Sequence, residues 1–186
     1  MNLLFIDTEF SDFVEKKLVS IALVSPTEKF YAENSTIKAQ ECSVFVQEHI
    51  FPLLEGGVYA KSYENLAGSL YEWLETMPAD TVIIGDYQGD WTIMARLLTE
   101  GDTRGLPVNI KGFENVFMLL AQELAHHYNV QTLAHHEKQA KEVDQVFNKF
   151  IEKWLMDNHK IAHHALDDAQ ANCYAYYQTL NFIKTM

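Results

Sequence analysis

The sequence predicts one α/β domain, a mixed β-sheet with α-helices on its faces. Three strand-like stretches come first in succession, and helical periodicities then alternate with further apolar strand patterns. At 186 residues, with 48% hydrophobic and 22% charged residues, the chain can build one full core, and the expected organisation is a single domain over residues 1–186.

Leu3-Leu4-Phe5-Ile6 is a continuous apolar run, the pattern of a strand buried on both faces. Lys17 to Val24 is rich in β-branched and aliphatic residues. Ser25-Pro26-Thr27 then makes a turn, and Lys29 to Ala32 returns, so the first three strands are expected to be antiparallel. Ser43 to Leu54 is apolar-periodic and helical in part, with Pro52 near its end and a break at Gly56-Gly57. Tyr63 to Met77 is an amphipathic helix, with Leu66, Leu70, Trp73, Leu74 and Met77 at helical spacing and Pro78 as its stop. Thr81 to Gly85 is another buried strand, and Tyr87 to Gly89 connects it to a helix over Trp91 to Thr99. Pro107 to Ile110 is expected as a short edge strand. Glu114 to Tyr128 and Lys138 to Met156 are expected as helices, Asp157 to His164 as a polar connection, and Ala165 to Leu180 as the last helix.

Composition narrows the class. No apolar run is long enough to span a membrane, and no basic region precedes the N-terminal apolar run as a secretory signal would require. Cys42 and Cys173 lack metal or redox spacing, which argues against a disulfide framework and for a reducing, cytoplasmic setting. The net charge of −12 repels a long polyanion unless charge is arranged locally or supplied by metal.

The chemistry-bearing residues begin at the end of the first strand. Strand side chains alternate, so Asp7 and Glu9 share a face. They repel each other, with no cation nearby in sequence, and a proton or metal must neutralise them. Hard cations such as Mg²⁺ and Mn²⁺ take carboxylate oxygens. The plainer alternative is a strand that ends in a polar turn. Asp90 opens the helix that follows Gly89; it also suits a helix N-cap, and a helix N-terminus favours a carboxylate. Asp86 is a second candidate at the same edge, ranked lower because a turn acid accounts for it.

The last cluster is His163-His164-Ala165-Leu166-Asp167-Asp168-Ala169. Five residues apart on one helix, His163 and Asp168 would not share a face, so His163 belongs in the connection before the helix, swinging over the site. Asp168 shares a stripe with Ala165, Ala171 and Ala175, which lets the helix approach a sheet closely, whereas Asp167 lies nearer Gln170 and Tyr174. Asp168 is therefore the expected inward acid, and His164 is expected to point elsewhere. The plainer alternative for both histidines is a solvated helix start.

Together, Asp7-Thr8-Glu9 on a first strand, Asp90 opening a central helix, and His163-x-Ala165-x-x-Asp168 opening a last helix resemble the DEDDh 3′–5′ exonuclease superfamily, which includes proofreading exonucleases, ribonuclease T and oligoribonuclease. The motifs stand in the family's order and span most of the chain. The related branch with tyrosine four residues before the last aspartate does not fit, because His164 occupies that position. Glu9 to Phe13 lacks the glycine common in proofreading members and is similar to the compact bacterial and phage exoribonuclease-type branch, which begins with a similar Asp-Thr-Glu-Phe. Glu114 to Asp157 carries no clear motif.

The resemblance implies a ribonuclease H-like sheet and two divalent cations, Mg²⁺ or Mn²⁺, about 4 Å apart, held by Asp7, Glu9, Asp90 and Asp168. His163 would take the proton from the attacking water, since imidazole titrates near neutral pH. The implied product is a nucleoside 5′-monophosphate released from the 3′ end of single-stranded or 3′-overhang RNA, with DNA as the alternative substrate. A homodimer is also implied, since related members are often dimers. Thr8, Phe10, Phe13 and Trp91, with Tyr87 behind, are the candidate substrate contacts; aromatic rings can stack bases, although core packing is the plainer role for each ring.

Competing classes are a nucleic-acid-binding adaptor without turnover, which loss of any acid would have favoured, and an endonuclease, which the His-x-Ala-x-x-Asp cluster argues against. A histidine metal site at His126-His127 or His135-His136 is disfavoured, because adjacent helical residues point about 100° apart. Lys138, Lys141, Lys149 and Lys153 share one helix face, ordinarily a solvated one, and form the concentrated basic strip of an acidic chain.

Overall fold

The computed structural model describes residues 2–128 and 137–186. Six strands make one mixed sheet: β1 (Asn2–Phe10), β2 (Leu18–Val24), β3 (Lys29–Asn34), β4 (Ala60–Lys61), β5 (Thr81–Gly85) and β6 (Ile110–Asn115), in spatial order β4-β3-β2-β1-β5-β6. The first three strands pair antiparallel, and for β2 and β3 the short turn at Ser25 to Thr27 requires it. β5 runs parallel to β1 and β6 parallel to β5. The C-terminal ends of β1 and β5 therefore open on the same edge of the sheet.

Helices α1 (Val44–His49), α2 (Tyr63–Glu75), α3 (Gln88–Arg96), α4 (Val116–His127), α5 (Glu137–Asp157) and α6 (Ala165–Ile183) complete the fold. Alternation along β1 divides the core in two. Leu3 and Phe5 pack with α4, α5 and α6, while Leu4 and Ile6 pack with α2 and α3. The apolar run at the N-terminus is thus a central strand covered on both faces. Ser62 caps α2 by accepting from the Asn65 N–H at 3.3 Å, and Asn115 caps α4 by accepting from Phe117 and Met118. Among the described residues no helix is long and apolar enough to cross a membrane.

The boundaries around β6 differ from expectation. The strand placed at Pro107 to Ile110 instead begins at Ile110 and runs to Asn115, taking Glu114 from the expected helix. Its ladder with β5, from Thr81↔Ile110 to Gly85↔Asn115, outweighs the local helical pattern, and Pro107 has no N–H to give such a ladder. β4 was not expected at all; two residues carry no period. His135 and His136 lie outside the described residues.

Phe5 ties the central strand to the last helix. Its ring is 1% exposed and lies 5.3 Å from Tyr176 and 6.2 Å from Tyr177. Phe5→Ala is expected to cost about 3–5 kcal/mol in urea denaturation; a cost under about 1 kcal/mol would mean that this contact does not hold α6 in place.

Candidate functional site

A cleft of about 650 Å³ opens at the C-terminal edge of β1 and β5, and Asp7, Glu9, Asp86, Asp90, His163 and Asp168 all line it. Alternation along β1 directs Asp7 and Glu9 toward the α6 side and Thr8 toward the α3 side. There the Thr8 hydroxyl donates to Asp90 Oδ1 at 2.7 Å. Thr8, a candidate substrate contact, thus holds a neighbouring acid in position.

Asp90 is 2% exposed and is the third residue of α3, not its N-cap. Tyr87 occupies the cap position in an extended conformation, because the helix begins at Gln88 and takes in Gly89. The carboxylate remains in the first turn, where the helix N-terminus favours negative charge.

At the other wall, the His163 backbone N–H donates to Asp168 Oδ2 at 2.7 Å. His163 lies in the connection before α6 with φ of 74°, a left-handed conformation uncommon for a side-chain-bearing residue. Its exposed ring stands edge-on to Phe45 at 5.2 Å.

Two clusters of potential metal ligands result. Atoms of Glu9, His163 and Asp168 lie within 4.8 Å of one another, as do those of Asp7, Asp86 and Asp90. Asp86, ranked below Asp90 from sequence, stands beside it here. Among the described residues no lysine or arginine forms an ion pair with any of these five acids.

The electrostatics follow from that crowding. Burial, reinforced by Asp90, Asp168, Glu9 and Asp86, holds the Asp7 carboxyl well above the usual carboxylate range. Burial and then Asp168 and Asp90 push Glu9 up to about 8. Burial raises Asp90 to about 7 against the opposing Thr8 hydrogen bond. It also raises Asp168, against the His163 N–H that stabilises its charge. Asp86 is an exposed residue, yet the protein around its carboxyl, which lines the cleft, raises it by desolvation as well. Hard oxygen donors at this density, with no lysine or arginine paired to them among the described residues, fit divalent ions such as Mg²⁺ or Mn²⁺.

The remaining candidates separate. Phe10 and Phe13 line the cleft with rings edge-to-face at 5.4 Å, and Tyr87 lies 6.2 Å from Phe10 in a stacked arrangement. Phe13 is 79% exposed, far from a core role. Trp91 is not among the cleft residues; it packs partly buried near Phe113 at 6.1 Å, since one helical step from Asp90 turns it about 100° away. Phe45 of α1 lines the opposite wall and escaped the sequence reading. Its only signal was an exposed apolar pair with Val44 at the start of a short helix. Lys141 and Lys149 are exposed, Lys153 pairs with Asp157 at 2.6 Å, and none of the three lines the cleft.

The last motif differs from expectation in one respect. Asp167, placed nearer Gln170 and Tyr174 than the inward stripe, is 6% exposed, and His164, expected to point away from the site, is 6% exposed too, which its plainer alternative of a solvated helix start does not fit. Asp168 reaches the acid cluster while Asp167 is buried beside His164, so both aspartates face protein in different directions. His126 and His127 end α4 and are not among the cleft residues.

The chain matches no protein-family model and no curated protein sequence.

The raised acids predict how metal-free stability depends on pH. A carboxyl with a higher folded than unfolded value binds more protons when folded, so its contribution to stability falls as pH rises. For Glu9 that loss spans about 4.5, the ordinary value, to about 8. Melting temperatures in chelator should decline across this window, Mg²⁺ or Mn²⁺ should restore them, and Asp7→Asn should flatten the decline. Equal slopes for the variant and the parent chain would show that the acids are not held in mutual repulsion.

Proposed function

We propose that the chain is a metal-dependent 3′–5′ exonuclease of the DEDDh type on a ribonuclease H-like fold, acting on single-stranded or 3′-overhang RNA, with DNA as the alternative substrate. The observation that carries this reading is the meeting of two uncompensated acid groups with His163 in one aromatic-walled cleft. The sheet, with three leading antiparallel strands and β5 and β6 parallel on the other side of β1, agrees with the proposed fold.

Asp7, Glu9, Asp90 and Asp168, with Asp86 beside them, would hold two divalent cations, Mg²⁺ or Mn²⁺. Such ions supply positive charge for the phosphate and make water a better nucleophile at neutral pH. His163 accepts a proton as the water oxygen bonds to phosphorus. The bond from phosphorus to the 3′-oxygen breaks, and that oxygen takes a proton from solvent. A nucleoside 5′-monophosphate leaves, and a 3′-hydroxyl remains on the shortened strand. Thr8 keeps Asp90 aimed at the cleft. Phe10, Phe13, Tyr87 and Phe45 provide the apolar faces on which terminal bases stack. Recognition is local, because a chain of net charge −12 offers little attraction to a long polyanion.

Product analysis on RNA and DNA oligomers with Mg²⁺ or Mn²⁺ tests the reading directly. Asp7→Ala, Glu9→Ala, Asp90→Ala and Asp168→Ala should each abolish hydrolysis with the fold retained, and His163→Ala should lower turnover by about 10²- to 10⁴-fold. Full activity of Asp7→Ala, together with no metal binding by calorimetry, would overturn it. Lengthening a single strand beyond about ten nucleotides should improve binding little, with a shallow salt dependence, because few phosphates are contacted. A salt slope that steepens with length would instead point to the exposed lysines of α5.

A further inference from the structure

His164 and Asp167 lie outside the acid cluster, and nothing in the mechanism above uses them. Both are 6% exposed. The His164 ring sits 5.0 Å from the Tyr31 ring on β3. Its Nδ1 lies 3.3 Å from Asp167 Oδ2, and its Nε2 lies 3.8 Å from Glu55 Oε1. Neither ring nitrogen makes a hydrogen bond. The other oxygen of Asp167 lies 3.1 Å from Lys160 Nζ, which reaches in from the preceding connection. A buried imidazole without hydrogen bonds is a poor choice for stability alone.

The position of this pair gives it a role. His164 is the N-cap residue of α6, and it does not cap the helix with its side chain. One residue earlier stands His163, in the left-handed conformation and bonded through its N–H to Asp168. The chain must therefore pass from a fully packed ring to an exposed one in a single strained step. Fixing the His164 ring against Tyr31 and Asp167 fixes where that step begins, and the Asp168 bond fixes where it ends. Lys160, held by the same Asp167, pins the connection a few residues upstream.

We propose that His164 and Asp167 are positioning residues that lock the left-handed turn carrying His163 over the acid cluster. This inference rests on the reading of His163 as the proton acceptor. A group misplaced by about 1 Å loses on the order of 10²-fold in rate. Asp167→Ala and His164→Phe, the latter keeping a buried ring, should lower the turnover of a short single-stranded RNA with Mg²⁺ by about 10- to 100-fold at nearly unchanged KM, and Asp167→Asn should recover most of it. In a His163→Ala background the same changes should cost less than about twofold, because they act through the missing imidazole.

A second readout needs no activity. In metal-free protein the His163 amide proton should be shifted downfield and slow to exchange, as expected for an N–H bonded to a carboxylate. Asp167→Ala and His164→Phe should speed its exchange about tenfold or more, while Asp167→Asn should not. An unchanged His163 amide in both disruptive variants overturns the proposal, as does an equal loss of turnover with and without His163. If the parent chain hydrolyses no nucleic acid, the exonuclease reading falls, and the amide signature still decides whether the pair holds the turn.

Discussion

Like charges crowded at the end of a buried strand are the constraint on which the site depends. β1 is hydrogen-bonded to β2 on one side and β5 on the other, and its apolar side chains fill the cores on both faces. The same strand then delivers Asp7 and Glu9 into space shared with Asp90 and Asp168. Every one of these carboxyls is raised, with burial as the leading cause. An arrangement this unfavourable persists only if the surrounding fold over-determines it.

The supports that over-determine it are visible. Small residues let α6 lie close to the sheet: Ala165, Ala169, Ala171 and Ala175 have no exposed surface. Phe5 meets Tyr176 and Tyr177 farther along the same contact. On the other face Thr8 clamps Asp90 directly, across 82 residues of sequence. Arg96, near the end of α3, donates to the backbone carbonyls of Glu15 and Lys16, so the loop bearing Phe13 is braced by the helix that bears Asp90. Acids and aromatic walls thus rest on the same few elements, which limits how far either can drift from the other.

Much of this was legible in the sequence, and the boundary of legibility has physical causes. The pairing of Asp7 with Glu9 follows from strand alternation alone, and the apolar run before them identifies a central strand. The place of His163 follows from helical geometry, because five helical residues would have turned it away from Asp168. The start of α3 was misread because Gly89 suggests a break, whereas the helix runs through it from Gln88. The burial of Asp167 was not legible because a helical wheel knows two sides, buried and exposed, while α6 near its start meets the acid cleft on one side and the Tyr31 and Glu55 region on another. Phe45 could not be found, since its nearness to His163 arises only when α1 folds against the far wall.

The acidity of the chain, which at first argues against a polyanionic substrate, is compatible with the proposed one if the acids hold metal. The carboxylates that repel a phosphate are the same groups that would hold divalent cations on the proposed reading, and a bound dication would reverse the local sign of the field. Affinity for nucleic acid would then be confined to the reach of those ions and of the rings beside them, and the remaining negative surface would discourage internal segments of a long strand from settling elsewhere. On the proposed reading net charge would help select a free strand end, because the acids lie in one cleft that Phe10, Phe13, Phe45 and Tyr87 line and, among the described residues, no lysine or arginine does.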